Sequence, residues 1–367
     1  MIETKKFISF LKRQNINFYT GVPDSVLKEF CIIIDKFPEK EHVRANNEGS
    51  AIAIAAGYSM SKKEIPCVYL QNSGLGNSVN PLTSVTHKKI YSIPMLLLIG
   101  WRGSPKSKDE PQHIIKGKIT PNLLKILNIK FTILKSEKDF INIKKLLNYS
   151  KKKNEPVACL VSKGVLLNRS KNNSKFKKNV LVNRSQAIKI LKEKIKQKTY
   201  LISTTGYTSR ELFEINKDSF NKKIKTFYNV GGMGHASSIA LGVSLNKKDE
   251  VICLDGDGSI LMHLGSMNTI GKYAKKNFKH ILFNNYCHQS VGSQKTNTDK
   301  IDFEKLSKSL NYRIFYKAKS LNEYKKKISS FLNSNGPAFF EVLCSNEKMS
   351  DLGRPSNFNL LKKLFTK

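Results

Sequence analysis

Two apolar runs, each breaking off in a small polar cluster, restrict this chain more than any other feature. Val251–Leu254 leads into Gly256-Asp257-Gly258-Ser259, and His280–Phe283 leads into Asn284-Asn285, with a helical pattern between them. Short apolar runs bounded by turn residues read as strands covered on both faces, and a strand–helix–strand unit sets its strands parallel. Both polar clusters then sit at the carboxyl ends of parallel strands, where open α/β sheets bind ligands. Glycines flanking Asp257 let backbone approach a phosphate closely. An Asp carboxylate and an Asn carbonyl are hard oxygen ligands, suited to a magnesium ion holding a diphosphate.

The same alternation runs through the rest of the chain. In the first half, strands over 17–20, 66–71, 94–100, 131–134 and 156–162 interleave with helices near 4–14, 48–60, after Gly76, 121–127 and 137–150. Pro23-Asp24 marks a further helix start. The stretch 168–183 (NRSKNNSKFKKNVLVN) is polar, charged and aperiodic, and is expected to be a linker. Beyond it come helices over 185–196, 208–215, 235–245, 260–274, 302–310 and 321–333, with strands over 200–204, 226–230, 250–255, 278–284, 312–316 and 337–343. The expected fold is α/β: two doubly wound parallel-sheet domains, 1–167 and 184–367, alike in layout but without a sequence repeat.

Composition narrows the function. A chain of 367 residues, 40% apolar, can bury two cores, yet holds no run of the ~20 apolar residues a membrane span needs. The first residues alternate charged and apolar positions at helical spacing, unlike a signal peptide. Cys31, Cys67, Cys159, Cys253, Cys287 and Cys344 form no CxxC pair, which argues against a zinc site or disulfide scaffold and suits a reducing cytoplasm. The formal charge of +36 invites a nucleic-acid partner, but only eight of the 64 basic residues are Arg, the side chain whose fork reads bases and phosphates. Lysine spread over the whole length speaks for compositional bias instead. Its positive field would still draw in a multiply charged anionic substrate.

The GDGS…NN element resembles the magnesium–diphosphate signature of thiamine-diphosphate-dependent enzymes. The resemblance implies metal ligation by Asp257, Asn285 and the Cys287 main-chain carbonyl, with Gly256, Gly258 and Ser259 against the cofactor. In Asn229–Val243 (NVGGMGHASSIALGV), it implies that the Gly231 carbonyl, beside Gly232, accepts from the aminopyrimidine and that Met233 is the wedge bending the cofactor. By itself Met233 is equally a core-filling residue. Arg44–Ser61 (RANNEGSAIAIAAGYSMS) resembles the pyrimidine-binding domain of the same enzymes, where a Glu at the place of Glu48 protonates the pyrimidine ring nitrogen. Taken alone, Glu48 at a helix N-terminus would only complement the helix dipole.

Two domains without a central third one are similar to the short decarboxylases of this group, which act on phosphonopyruvate and sulfopyruvate. Thr20–Cys31 (TGVPDSVLKEFC), Gln71–Ser84 (QNSGLGNSVNPLTS), Leu98–Ser104 (LIGWRGS), Asp109–His113 (DEPQH) and Thr205–Glu214 (TGYTSRELFE) resemble the phosphonopyruvate branch. The implied reaction is non-oxidative decarboxylation of phosphonopyruvate to phosphonoacetaldehyde and CO2, in phosphonate biosynthesis, with sulfopyruvate the alternative substrate. Arg102, Asp24, Ser25, Asn72, Ser73 and Asn77 are the candidate substrate contacts, since a phosphonate beside a carboxylate calls for several donors. A surface ion pair is the plainer reading of Arg102. His113 and His288 are candidates for proton transfer, with Asp24 and Glu48, although either histidine could equally be structural. The resemblance also implies self-association, with Glu48 and Asp257 acting across a subunit interface.

Overall fold

The computed structural model describes residues 1–105, 107–168, 181–218 and 221–367. The chain divides into two compact units: an amino-terminal one reaching Asn173 and taking in Val291–Gln294, and a carboxyl-terminal one made of the remainder. Most of the expected linker, 168–183, lies outside the described residues.

In the first unit, six strands form one parallel sheet: β1 (Tyr19–Gly21), β2 (His42–Arg44), β3 (Cys67–Gln71), β4 (Leu96–Gly100), β5 (Lys130–Leu134) and β6 (Val157–Val161). Their order is β2-β1-β3-β4-β6-β5, with Tyr69, Leu98 and Cys159 in register across the middle. The central strands are apolar throughout because both faces are covered. Alternate residues feed two cores. Tyr69, Leu98 and Cys159 pack with Phe7, Leu11, Phe30 and Leu147 on one face. Leu70, Leu97 and Leu160 pack with Ala51, Ile52, Ala55 and Leu124 on the other.

The second unit repeats the plan with β7 (Thr199–Ser203), β8 (Ile224–Tyr228), β9 (Glu250–Gly256), β10 (Phe278–Asn284), β11 (Ile314–Ala318) and β12 (Ala338–Leu343). The order, β8-β7-β9-β10-β12-β11, is that of the first unit counted from its own first strand. Again two cores form, around Ile252, Leu254, Ile281 and Phe340 on one face and Val251, Cys253, Leu282 and Phe339 on the other. In each unit the strand order reverses between the first and third strands, so a crevice opens beyond their carboxyl ends.

Several local expectations are corrected. The helix expected from Pro23-Asp24 begins at Lys28, because the Asp24 carboxylate accepts the Val26 and Leu27 amides, 3.0 Å each, and holds a turn. The helix expected over 121–127 runs Pro111–Ile126, with Pro121 inside it. Pro121 cannot donate to the Gly117 carbonyl four residues back, and the Trp101 indole N–H takes that carbonyl instead at 2.9 Å. The stretch near 260–274 is two helices, Asp257–Met262 and Gly265–Tyr273. Strand β2 and the helix Phe358–Thr366 were not anticipated. Among the described residues, no helix is long and apolar enough to cross a membrane.

Replacing the only tryptophan, Trp101→Phe, leaves the buried Gly117 carbonyl unpaired, at a cost of about 1–3 kcal/mol. The expected outcome is a lower thermal midpoint by circular dichroism and faster amide exchange in 111–126; an unchanged midpoint would mean that the carbonyl has another partner.

Candidate functional site

In both units the chemistry-bearing residues follow the same four strands. In the first, Asp24 and Ser25 follow β1, Glu48 follows β2, Asn72 and Ser73 follow β3, and Arg102 follows β4. In the second, Thr204 follows β7, Gly231–Met233 follow β8, Asp257 follows β9, and Asn285, Cys287 and His288 follow β10. The first and third strands of each unit flank its crevice, and side chains join across it. Gln71, ending β3, donates to Asp24 Oδ1, and Thr204 donates to Ser259 Oγ at 2.8 Å.

Glu48 opens the helix Glu48–Lys62, capped by Asn47, whose side chain accepts the Gly49 amide at 2.8 Å. Glu48 is 5% exposed, and burial raises its carboxyl pKa from the ordinary value against an Asn77 amide bond of 2.7 Å. Gly74 makes room for it: a Cβ there would stand 2.1 Å from Glu48 Oε1. Gly100 does the same for Asp24, where a Cβ would stand 1.9 Å from Oδ2. Asp24 is fully buried, and burial lifts its pKa despite the Gln71 and amide bonds.

Other residues in this unit are already engaged. Asn72, expected as a substrate donor, gives its amide hydrogens to the Arg102 carbonyl (3.0 Å) and Thr120 (2.9 Å), and accepts the Arg102 amide (3.1 Å). It clamps strand ends together. Asn77, another expected donor, is turned to Glu48. Ser73 donates to Gln71 at 2.6 Å. Arg102 is forked onto Asp109, with Nε–Oδ2 at 2.7 Å, and reaches Ser25 at 3.2 Å, so the plainer ion-pair reading holds in part. Burial would raise the Asp109 carboxyl, but the Arg102 bonds outweigh it and bring it below the ordinary value. His113, with its Nδ1 buried and unbonded, is pushed down to about 4, by burial first and by Arg102 second. It is therefore a neutral imidazole at pH 7.

The second unit gathers the glycine loops. Ser259 Oγ accepts from Thr204 and, at 3.1 Å, from the Gly234 amide, so its own hydroxyl proton is left to donate. A Cβ at Gly258 would stand 2.5 Å from the His288 ring and 3.3 Å from the Met233 methyl, so these two side chains overlie the GDG turn. Gly232, in the left-handed region at φ 57°, gives its carbonyl to the Asn229 amide at 3.1 Å. Gly231 and Gly256 are half-buried in the same strand-end loops.

Three oxygens converge beside Asp257. The Asn285 side-chain oxygen faces Asp257 Oδ1 at 3.3 Å and the Cys287 carbonyl at 2.9 Å. No proton lies between them, so they repel unless a cation is shared. Octahedral magnesium, with ligands near 2.1 Å, brings neighbouring oxygens to about 3 Å. The donor set fits that ion. Asp257 Oδ2 takes the Thr296 hydroxyl at 2.7 Å, and burial pushes its carboxyl up to about 6 against that bond. Cys253, Asp255 and His280 also cluster, but His280 spends its nitrogens on Tyr312 (3.1 Å) and Asp255 (3.3 Å). That group is a core network.

Residues 4–123 match the model of the thiamine pyrophosphate enzyme N-terminal binding domain, and 206–342 match the C-terminal one. Phosphonopyruvate decarboxylase of Streptomyces viridochromogenes is 30% identical, over 97% of this chain and 91% of that protein. The chain belongs to the thiamine pyrophosphate enzymes. Its place in that family is among the decarboxylases, and it is a carboxy-lyase using thiamine diphosphate, whose usual metal partner in this family is magnesium. Sulfopyruvate decarboxylase of Methanosarcina acetivorans is 28% identical over 80% of this chain and 78% of its own. The sulfopyruvate decarboxylase beta subunit of Methanocaldococcus jannaschii is 37% identical over 47% of this chain and 90% of its own.

Sequence reasoning missed Gln71, Gly74, Gly100, Thr204, Gln289 and Thr296. Each acts through a contact distant along the chain, and only the position of Gln71 beside Asn72 and of Thr204 at a strand end gave any signal.

With no metal bound, Asp257→Asn is expected to stabilise the protein. The folded-state pKa of Asp257, about 6, exceeds the unfolded value near 3.9. The penalty is thus absent below about pH 4, grows as pH rises, and is full above about pH 6, at up to about 3 kcal/mol. Urea unfolding in chelator should show the gain at pH 7.5 and none at pH 4; the reverse order would refute the raised pKa.

Proposed function

We propose that this chain decarboxylates phosphonopyruvate to phosphonoacetaldehyde and CO2, with sulfopyruvate the competing substrate. The convergence of Asp257, Asn285 and the Cys287 carbonyl oxygen supports the cofactor chemistry. The full-length likeness to a phosphonopyruvate decarboxylase supports the substrate. Thiamine diphosphate, when bound, supplies the electron sink for the carbanion left as CO2 departs.

The chain's own residues do the rest. Asp257, Asn285 and the Cys287 carbonyl would hold magnesium, while Gly256, Gly258 and Ser259 would offer small backbone and a hydroxyl to the diphosphate. Gly231, Gly232 and Met233 border the same turn. Glu48, its carboxyl kept protonated more readily by burial, would hold a proton for the cofactor's pyrimidine nitrogen. Asp24, also raised, and the neutral His113 stand beside Arg102 and Ser25 for proton transfer to the reacting carbon. His288, against Gly258, is the corresponding candidate in the other unit. Arg102 and Ser25 receive the substrate's anionic end. Ser73 shapes the same loop through Gln71.

The enzyme works as an assembly of at least two copies; relatives built from alpha and beta subunits support this. Six buried cysteines, none in a disulfide, support a reducing cytoplasm.

Purified protein with thiamine diphosphate and magnesium is expected to convert phosphonopyruvate faster than sulfopyruvate, followed by phosphorus NMR and CO2 release. Preference for the sulfonate would overturn the substrate. Glu48→Gln should lower kcat by about 10²–10⁴-fold with cofactor binding retained. Gly74→Ala should lower kcat in the same direction with an unchanged circular dichroism spectrum, because its methyl displaces the Glu48 carboxylate. Wild-type turnover by either variant would remove Glu48 from the reaction.

A further inference from the structure

The oxygen of Asn285 has to face two other oxygens for the metal site to exist, and an amide left to itself would turn away from that arrangement. Rotated by half a turn, its nitrogen would donate to Asp257 Oδ1 and to the Cys287 carbonyl. Something must hold it in the unfavourable orientation before a cation arrives.

The surroundings supply that constraint as a chain of one-way hydrogen bonds. Glu211, fully buried, grips the Arg184 guanidinium through two parallel bonds of 2.9 Å. Arg184 can only donate, and its Nη1 donates to Gln289 Oε1 at 3.2 Å. Gln289 Nε2 donates to the Asn346 carbonyl at 2.6 Å. Both ends of the Gln289 amide are thereby assigned, oxygen toward Arg184 and nitrogen toward Asn346. That oxygen is also the acceptor for Asn285 Nδ2 at 3.3 Å, while Asn285 Oδ1 accepts the Cys287 amide at 3.3 Å. Were Asn285 to turn, its oxygen would lose the Cys287 amide, confront Gln289 Oε1 and lie 3.0 Å from the Asn346 side chain.

We infer that Gln289, oriented by the buried Arg184–Glu211 pair, is a positioning residue that keeps the Asn285 side-chain oxygen aimed at the metal. This rests on the proposed ligand set of Asp257, Asn285 and the Cys287 carbonyl. Neither Arg184 nor Gln289 contacts that oxygen cluster through a bond of its own; they act through the polarity of one amide. Partners of this kind commonly change metal affinity 10–100-fold when removed.

The test is a double-mutant cycle read by Mn2+ binding in the presence of saturating thiamine diphosphate, with free Mn2+ followed by electron paramagnetic resonance. Gln289→Met is expected to weaken Mn2+ binding at least 10-fold. Asn285→Asp carries oxygen at both ends, so its orientation no longer matters; in that background, Gln289→Met should change Mn2+ affinity less than about threefold. Equal losses in both backgrounds would make Gln289 a merely structural residue and overturn the inference, as would wild-type affinity in Gln289→Met. Circular dichroism accompanies each variant, and Gln289→Ser, too short to reach the Asn285 amide, replaces Gln289→Met if the latter does not fold. Failure of the wild-type protein to bind Mn2+ at all would instead sink the ligand set.

Discussion

Removing a carboxylate from water is costly, and this fold does so at Asp24, Glu48 and Asp257. All three sit where strands end, and all three have their affinity for a proton raised by burial. The surrounding contacts moderate that cost without cancelling it. Asp24 takes two backbone amides and Gln71, Glu48 takes Asn77, and Asp257 takes Thr296 and the Gly258 amide.

That arrangement depends on the sheet. Parallel strands deliver successive chain segments to one edge, and the reversal of order in each unit leaves that edge open. Strands covered on both faces must be apolar, so the polar groups are confined to the residues just past them. Asp24, Asn72 and Arg102 follow buried strands in one unit, and Asp257 and Asn285 do so in the other.

Much of this was legible in the sequence, for a physical reason. Val251–Leu254, His280–Phe283 and Leu96–Gly100 announce themselves because burial on both faces demands apolar side chains, and the polar break at their ends is abrupt. Strand β2 escaped because His42–Arg44 is three residues long and carries no apolar run. The helix through Pro121 escaped because its missing bond is replaced by Trp101, twenty positions earlier. The roles of Asn72 and Asn77 differ from expectation because sequence shows which polar groups are present but not which of them bind one another. Thr296 and Gln289 reach Asp257 and Asn285 only through folding, and leave no local pattern to read.

Each half closes its own six-stranded sheet and fills two cores of its own, in the same strand order. Among the described residues, neither half lends a strand to the other's large sheet. One polypeptide carrying both halves then supplies them in equal numbers.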